Sequence, residues 1–416
     1  MEIDKQNSFG VGEFPPSSER QLRHSLADGG KQALLPGKAT QVLLKPLKRQ
    51  GEGKLTGVLG RWAGLGPYYA MFPMEFALAT VRHYCPRGGH VLDPFAGRGT
   101  SVFAAAASGR IGTGIEVHPA GWLYGQVKLN PASKEAVLAR LAHIAELGKL
   151  IREDTIRGMP EFFQWCFSPG ALRFLLAARR HLRWRKQSVD RTLMAFILNN
   201  LHGSVERSLS NQMHQARSMA PDYSLQWWQA RRKRPKDKDP VAYLSARIEW
   251  RYRHGMPAFP ESRVRLGDSL KLLPRLAEKR VKYDLLFTSP PYFSVVNYHY
   301  DQWLRLWLLG GRSRPVKSAD RSSGSFDNMI EYQELLFGVF ERAAEVLRPG
   351  AAVYVRTDAR EFTLAITVDA LRYAFPRRYI QMREQPFRGK TQTALYGDSQ
   401  KKPGEVDLII SAPRTS

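Results

Sequence analysis

At 416 residues, 43% of them hydrophobic, the chain can bury a large core, and 63 lysines and arginines against 38 acids leave it at +25. A field of that sign attracts polyanions, so nucleic acid is the expected partner. Two cysteines without paired spacing, Cys85 and Cys166, support neither a disulfide framework nor a zinc site. With no apolar run of about 18 residues and no signal-peptide pattern a cytoplasmic, nucleoid-associated protein is expected, and with no basic amphipathic helix of wide apolar face no membrane partner is expected.

Residues 1–55 are rich in Gly, Ser, Pro and Lys, lack periodicity, and read as a flexible arm. "HVLDPFAG" (90–97) predicts a short buried strand ending in a glycine turn. "TSVFAAAASG" (100–109) predicts a helix stopped by Gly109, and "RIGTGIEV" (110–117) a second strand. A strand, a glycine loop, a helix and a strand in that order imply a parallel sheet, hence an α/β fold.

Alternation resumes at about 263. "RVRLGD" (263–268) and "YDLLFTS" (283–289) predict strands with an apolar helix between them. "MIEYQELLFGVFERAAEVLRPG" (329–350) predicts a long helix with a Pro-Gly stop. "AAVYVRTD" (351–358) and "EVDLIISA" (405–412) predict further strands.

Between the two blocks, 119–262 reads as an insertion. Residues 161–260 hold 18 Lys and Arg against 7 Asp and Glu, and five of the nine tryptophans: Trp165, Trp184, Trp227, Trp228 and Trp250. Basic side chains interleaved with aromatics suit phosphate contacts and base stacking. The plainer alternative is a helical subdomain with tryptophans in its core and charges on a wet face. The run "RRKRPK" supplies the DNA-binding candidates Arg231, Arg232, Lys233, Arg234 and Lys236.

"DPFAGRGT" places Gly97 and Gly99 after a strand and before a helix, where glycine lets the backbone take positive φ and approach a ligand. Glu116 follows Gly99 by 17 residues, at the end of the next strand, where a carboxylate can accept hydrogen bonds from ribose hydroxyls. A dinucleotide fingerprint would carry a small residue where Val102 stands, and a P-loop would end in Lys-Ser/Thr; both are missing. An adenosine cofactor without phosphates fits better, and S-adenosylmethionine is the common one. Asp268, in "GDSL", reads either as a partner of the adenine amino group or as a helix N-cap.

"TSPPY" (288–292) ends a buried strand with two prolines, which cannot continue a ladder. Alone, this is an ordinary strand-ending turn. Beside a cofactor loop it becomes a rigid frame.

Together, "DPFAGRGT" and "TSPPY" resemble the amino-methyltransferases of DNA. The resemblance implies a Rossmann-like seven-stranded class I methyltransferase sheet with a helical, basic insertion. It implies S-adenosylmethionine at Asp93, Phe95, Gly97, Gly99 and Thr100, with Glu116 on the ribose and Asp268 on the adenine side. "YYAMFPMEF" (68–76) resembles the segment over the methionine end of the cofactor, carried over as Phe72 and Pro73. "NYHYDQWLRLWLLGG" (297–311) is similar to family sequence after the catalytic loop. The motif order resembles the subgroup whose target-recognition region lies between the two loops. Residues 56–118 and 263–416 would then form the catalytic domain and 119–262 the inserted DNA-binding region.

An exocyclic amine has its lone pair delocalised into the ring and needs acceptors on its N–H groups. The Ser289 hydroxyl and the Pro290 carbonyl would supply them, Pro290 and Pro291 would fix them with little entropy to lose, and Tyr292 would stack on the flipped base. In the family that these loops resemble, an Asp-Pro-Pro-Tyr loop goes mostly with adenine N6, so the resemblance with serine at 289 implies cytosine N4, with adenine N6 as the alternative, in double-stranded DNA. No clean nuclease signature occurs, so in a restriction–modification system a cognate restriction endonuclease would be a separate chain. Methylation of tRNA guanine N2 and a non-catalytic DNA-binding protein are the remaining alternatives.

Overall fold

The computed structural model describes residues 55–67, 72–294, 298–315, 328–385 and 404–411. The arm read over 1–55 lies outside the described residues except for Leu55, as do residues 68–71 of the "YYAMFPMEF" segment and Asn297.

Seven strands form one sheet: β1 (His90–Asp93), β2 (Ile111–Glu116), β3 (Arg263–Leu266), β4 (Tyr283–Thr288), β5 (Leu347–Asp358), β6 (Gln381–Gln385) and β7 (Glu405–Ile410). Their order is β3-β2-β1-β4-β5-β7-β6. The first five are parallel to one another, and β7 runs antiparallel between β5 and β6. This is the Rossmann-like, seven-stranded class I methyltransferase order. The chain moves outward from β1 to β2 and β3, then returns to place β4 on the other side of β1. The order therefore reverses between β1 and β4, and open α/β sheets take their ligands at the carboxyl ends of strands flanking such a reversal. Both sequence motifs sit there, one after each strand.

Close packing over β2 comes from an unexpected side. Val102, in the helix Thr100–Ala107, is fully buried. A Cβ on Gly112 would lie 2.8 Å from Val102 Cγ1, and one on Gly114 2.8 Å from Val102 Cγ2. The strand glycines thus make the room that a dinucleotide fingerprint makes with a small helix residue. Val102 consequently does not loosen the helix against the sheet, and its presence does not discriminate between cofactors.

Most predicted elements stand where the sequence places them. The helix expected to 350 ends at Val346, short of Pro349, and Leu347 already belongs to β5. The residue before a proline is pushed away from helical dihedrals, so the helix gives way ahead of the Pro-Gly pair.

Between β2 and β3 runs a series of helices from Pro119–Leu129 to Pro240–Tyr252. The first lies on the sheet, with Trp122 Nε1 donating to Val264 O at 2.8 Å. The others join the glycine-loop helix in one continuous apolar core. The tryptophans of this region depart from the expected stacking platform. Trp184 and Trp228 are buried, and Trp228 Nε1 donates to Gln212 O at 2.8 Å. The others each have a guanidinium over the ring: Arg234 3.3 Å from the centre of Trp165, Arg231 4.6 Å from Trp227 and Arg61 4.3 Å from Trp250. Aromatic bulk serves the core at Trp184 and Trp228, while cation–π contacts lie on the more exposed rings, Trp250 being 46% exposed.

Gly112→Ala should lower stability by about 1–3 kcal/mol, the usual cost of overpacking a tight core. Gly350→Ala, where a Cβ would meet nothing within 4 Å, is the control expected to be near neutral. Urea denaturation of the two variants checks this.

Candidate active site

The glycine loop is built on Asp93, the last residue of β1. Gly97 (φ 52°) and Gly99 (φ 73°) both take the left-handed conformation that favours glycine. Ala96 N–H donates to Ile115 O at 2.9 Å and Gly99 N–H to Ala96 O at 2.7 Å, which folds the loop back over β2. A Cβ on Gly99 would lie 3.1 Å from Gly125 Cα, so packing requires this glycine as well. Thr100 opens the helix and is buried. Phe95 packs on the apolar cluster on the β4–β5 side of the sheet.

Asp93 departs from its expected role as a cofactor ligand. It is 2% exposed, and its oxygens are turned inward. Oδ1 accepts from Phe95 N at 3.0 Å and from Thr288 Oγ1 at 2.6 Å, while Oδ2 accepts a short hydrogen bond from Ser101 Oγ. Burial lifts its carboxyl to about 6, against the pull of Ser101, Thr288 and the Phe95 amide. Asp93 therefore clamps the loop, the helix start and β4 to one another.

Glu116 and Asp268 stand at the carboxyl ends of adjacent strands, where Glu116 pairs with Leu266. Glu116 is buried, and its Oε1 accepts from His118 N at 2.8 Å. Asp268 is the N-cap of the helix Ser269–Glu278, accepting from Leu270 N at 2.9 Å. The capping alternative thus holds for one of its oxygens. Two carboxylates beside a left-handed glycine loop suit a ligand rich in hydroxyl and amino donors and oppose a pyrophosphate, on charge grounds.

The catalytic-loop candidates follow β4. Pro290 is buried, and Ser289, Pro291 and Tyr292 are half-buried. Pro290 and Pro291 have no N–H, so side chains must fix this loop. Thr288 ties its root to Asp93. Tyr332, buried in the helix Met329–Val346, donates from its hydroxyl to Pro291 O at 2.9 Å. The Tyr292 hydroxyl lies 3.4 Å from Ser289 Oγ and donates to Glu405 Oε1 at 3.4 Å. Burial, then the Glu405 charge, pushes the Tyr292 phenol well above its usual range, so it stays a neutral donor. Phe293 packs edge-on against Phe362 at 4.8 Å and Tyr332 at 5.5 Å, and thus belongs to the core. Ser294 then takes φ 54°.

Glu405 was not legible as a site residue. β7 delivers it from 113 residues downstream, in register with Asp358 at the end of β5. Behind it, Arg356 makes a two-pronged ion pair with buried Asp407 at 2.6 and 3.0 Å and reaches Glu405 Oε2 at 3.4 Å. An acid at the head of the last predicted strand was the available signal.

Phe72 stacks on Phe287 with centroids 4.6 Å apart, just before the Ser-Pro-Pro-Tyr loop, and Pro73 is the exposed N-cap of the helix Met74–Tyr84. Arg231, Arg232, Lys233, Arg234 and Lys236 are all exposed; Lys236 pairs with Glu206, and Arg231 and Arg234 lie on tryptophans. Both cysteines are buried, and burial pushes the Cys85 thiol up to about 12, unsuited to nucleophilic work.

A DNA methylase family model, N6_N4_Mtase, matches residues 39–120. The match runs through the glycine loop to Glu116. No curated protein matches the chain. Solved structures similar to it include a SAM-dependent methyltransferase from Agrobacterium tumefaciens, at 11% identity and TM-score 0.33, covering 82% of this chain and 61% of that one. Another is the rRNA methyltransferase AviRa from Streptomyces viridochromogenes, at 13% and 0.30, covering 86% and 90%. A third is TrmN from Thermus thermophilus, at 11% and 0.29, covering 85% and 52%. The chain thus spans less than two thirds of the Agrobacterium and Thermus proteins. These likenesses are distant, and the strand order itself identifies the sheet. Among the described residues no helix is long and apolar enough to cross a membrane.

Asp93 gives a signed pH dependence. Its folded-state value of about 6 lies above the ordinary 3.8, so the folded protein holds the proton more tightly. The stability this confers is complete below about 4 and is lost as pH rises through about 6. The loss amounts to about 1.4 kcal/mol per pH unit across that window. Urea denaturation from pH 4 to 7 should show this slope in the wild type and a flatter one in Asp93→Asn.

Proposed function

We propose that the chain is an S-adenosylmethionine-dependent DNA methyltransferase that modifies the exocyclic amino group of a flipped base, cytosine N4 ahead of adenine N6. The observation that carries this reading is the placement of the glycine loop and the Ser-Pro-Pro-Tyr loop on adjacent strands at the reversal of strand order. The DNA methylase match over 39–120 supports it from the cofactor side.

Glu116 and the half of Asp268 not spent on capping would hold the ribose and adenine ends of the cofactor, and the Gly97–Gly99 backbone its middle. When bound, S-adenosylmethionine supplies an electrophilic methyl group on a positively charged sulfur. The chain's own residues do the rest. Ser289 Oγ and Pro290 O accept the two amino hydrogens and fix the amine's orientation, and the proline ring geometry keeps them there. Tyr292, anchored through Glu405, holds its ring against the extruded base. The serine hydroxyl acts as a neutral acceptor, and serine in place of the aspartate that mostly accompanies adenine N6 in the resembled family favours cytosine N4.

The surface run Arg231, Arg232, Lys233, Arg234 and Lys236, within the helical stretch expected to be the target-recognition region, supplies phosphate contacts. The whole chain's +25 steers it to DNA.

Incubation with labelled S-adenosylmethionine and unmodified DNA, followed by nucleoside mass spectrometry, should yield N4-methylcytosine. Tyr292→Ala should lower the yield by about a hundredfold, as expected when base positioning is lost. N6-methyladenine would move the assignment to the second base, and no methylated nucleoside would overturn the reading. Replacing Arg232 and Lys233 with Gln should weaken DNA binding and reduce the salt slope by roughly one for each phosphate no longer neutralised, with kcat at saturating DNA unchanged.

A further inference from the structure

Thr288 stands outside the acceptor and stacking roles assigned above, yet it joins the root of the catalytic loop to the root of the cofactor loop. It is fully buried, at the end of β4. A valine would fill the same space, so the hydroxyl has to be explained by what it bonds. It donates to Asp93 Oδ1 at 2.6 Å. The same oxygen takes the amide of Phe95, two residues before Gly97, and the other takes Ser101 in the first turn of the glycine-loop helix.

The backbone explains why such a bond is needed. The ladder between β1 and β4 pairs Val91 with Leu285 and Leu92 with Leu286 and goes no further. Beyond it the backbone of Asp93 pairs only with β2 and that of Thr288 only with β5, and the loops that follow them must face one another. Pro290 and Pro291 offer no N–H, so the catalytic loop cannot extend the ladder toward the glycine loop. A β-branched side chain with a stiff χ1, bonded to a buried carboxylate, fixes the direction in which the chain leaves β4.

We propose that Thr288 is a positioning residue: its hydrogen bond to Asp93 sets the amine acceptors Ser289 and Pro290 in register with the cofactor loop. The inference rests on the methyltransferase reading. It assigns Thr288 no contact with substrate or cofactor.

The test compares Thr288→Val and Thr288→Ser with the wild type in methyl-transfer kinetics and in amide hydrogen exchange of the full chain. Thr288→Val should lower kcat about tenfold, a modest misplacement of reacting groups, with the KM values for S-adenosylmethionine and DNA within about twofold of the wild type. Thr288→Ser, which keeps the donor, should return kcat to within about threefold. In the exchange experiment, Thr288→Val should raise exchange in both 95–101 and 289–294, and Thr288→Ser in neither. An unchanged kcat in Thr288→Val, or faster exchange confined to 289–294, overturns the proposal. Should the wild type methylate nothing, the methyltransferase reading fails by itself; exchange then decides the coupling, rising in both segments if Thr288 joins them and in one if it does not.

Discussion

The carboxylate of Asp93 is the constraint on which the rest of this site depends. A charge placed in a sheet's interior is costly unless donors compensate it, and Asp93 draws its three donors from three elements: a loop amide, a helix-start serine and a neighbouring strand's threonine. Because each donor belongs to a different piece of chain, satisfying the carboxylate fixes the pieces relative to one another. Its raised pKa records the cost, and the preserved geometry records what offsets it.

A second constraint follows from the prolines. Two successive residues without an N–H cannot donate to a ladder, and side chains hold the loop at three points: Thr288 at its root, Tyr332 on the Pro291 carbonyl, and Glu405 on the Tyr292 hydroxyl. These anchors come from β4, a long helix and β7. The antiparallel return of β7 between β5 and β6 is what brings Glu405 within reach, with the Arg356–Asp407 pair buried behind it. The loop's rigidity therefore belongs to the whole β4–β5–β7 half of the sheet.

Much of this was legible in the sequence, because the signals were local. Short apolar runs next to Gly97, Gly99 and Pro290 fix strand ends, and the alternation of strands and helices fixes a parallel sheet. Residues whose role depends on partners distant in sequence were read less well. The resemblance implies a cofactor role for Asp93, whereas its partners Thr288 and Ser101 turn its carboxylate inward. Val102 stands where a dinucleotide fingerprint has a small residue, and Gly112 and Gly114, on the next strand, make the room for it. The insertion's tryptophans suggested a stacking surface by composition alone, and tertiary packing put Trp184 and Trp228 in the core and arginines over Trp165, Trp227 and Trp250.

The central claim is that the glycine loop and the Ser-Pro-Pro-Tyr loop form one continuous site, for cofactor on one side and amine on the other. A conjugate joining adenosyl and cytosine through a linker at the cytosine N4 position tests this most directly by isothermal titration. The account predicts that it binds at least about a hundredfold more tightly than S-adenosylhomocysteine, as expected of an analogue spanning both halves of a transition state. That advantage should vanish in Ser289→Ala. A conjugate that binds the wild type no better than S-adenosylhomocysteine would contradict the claim.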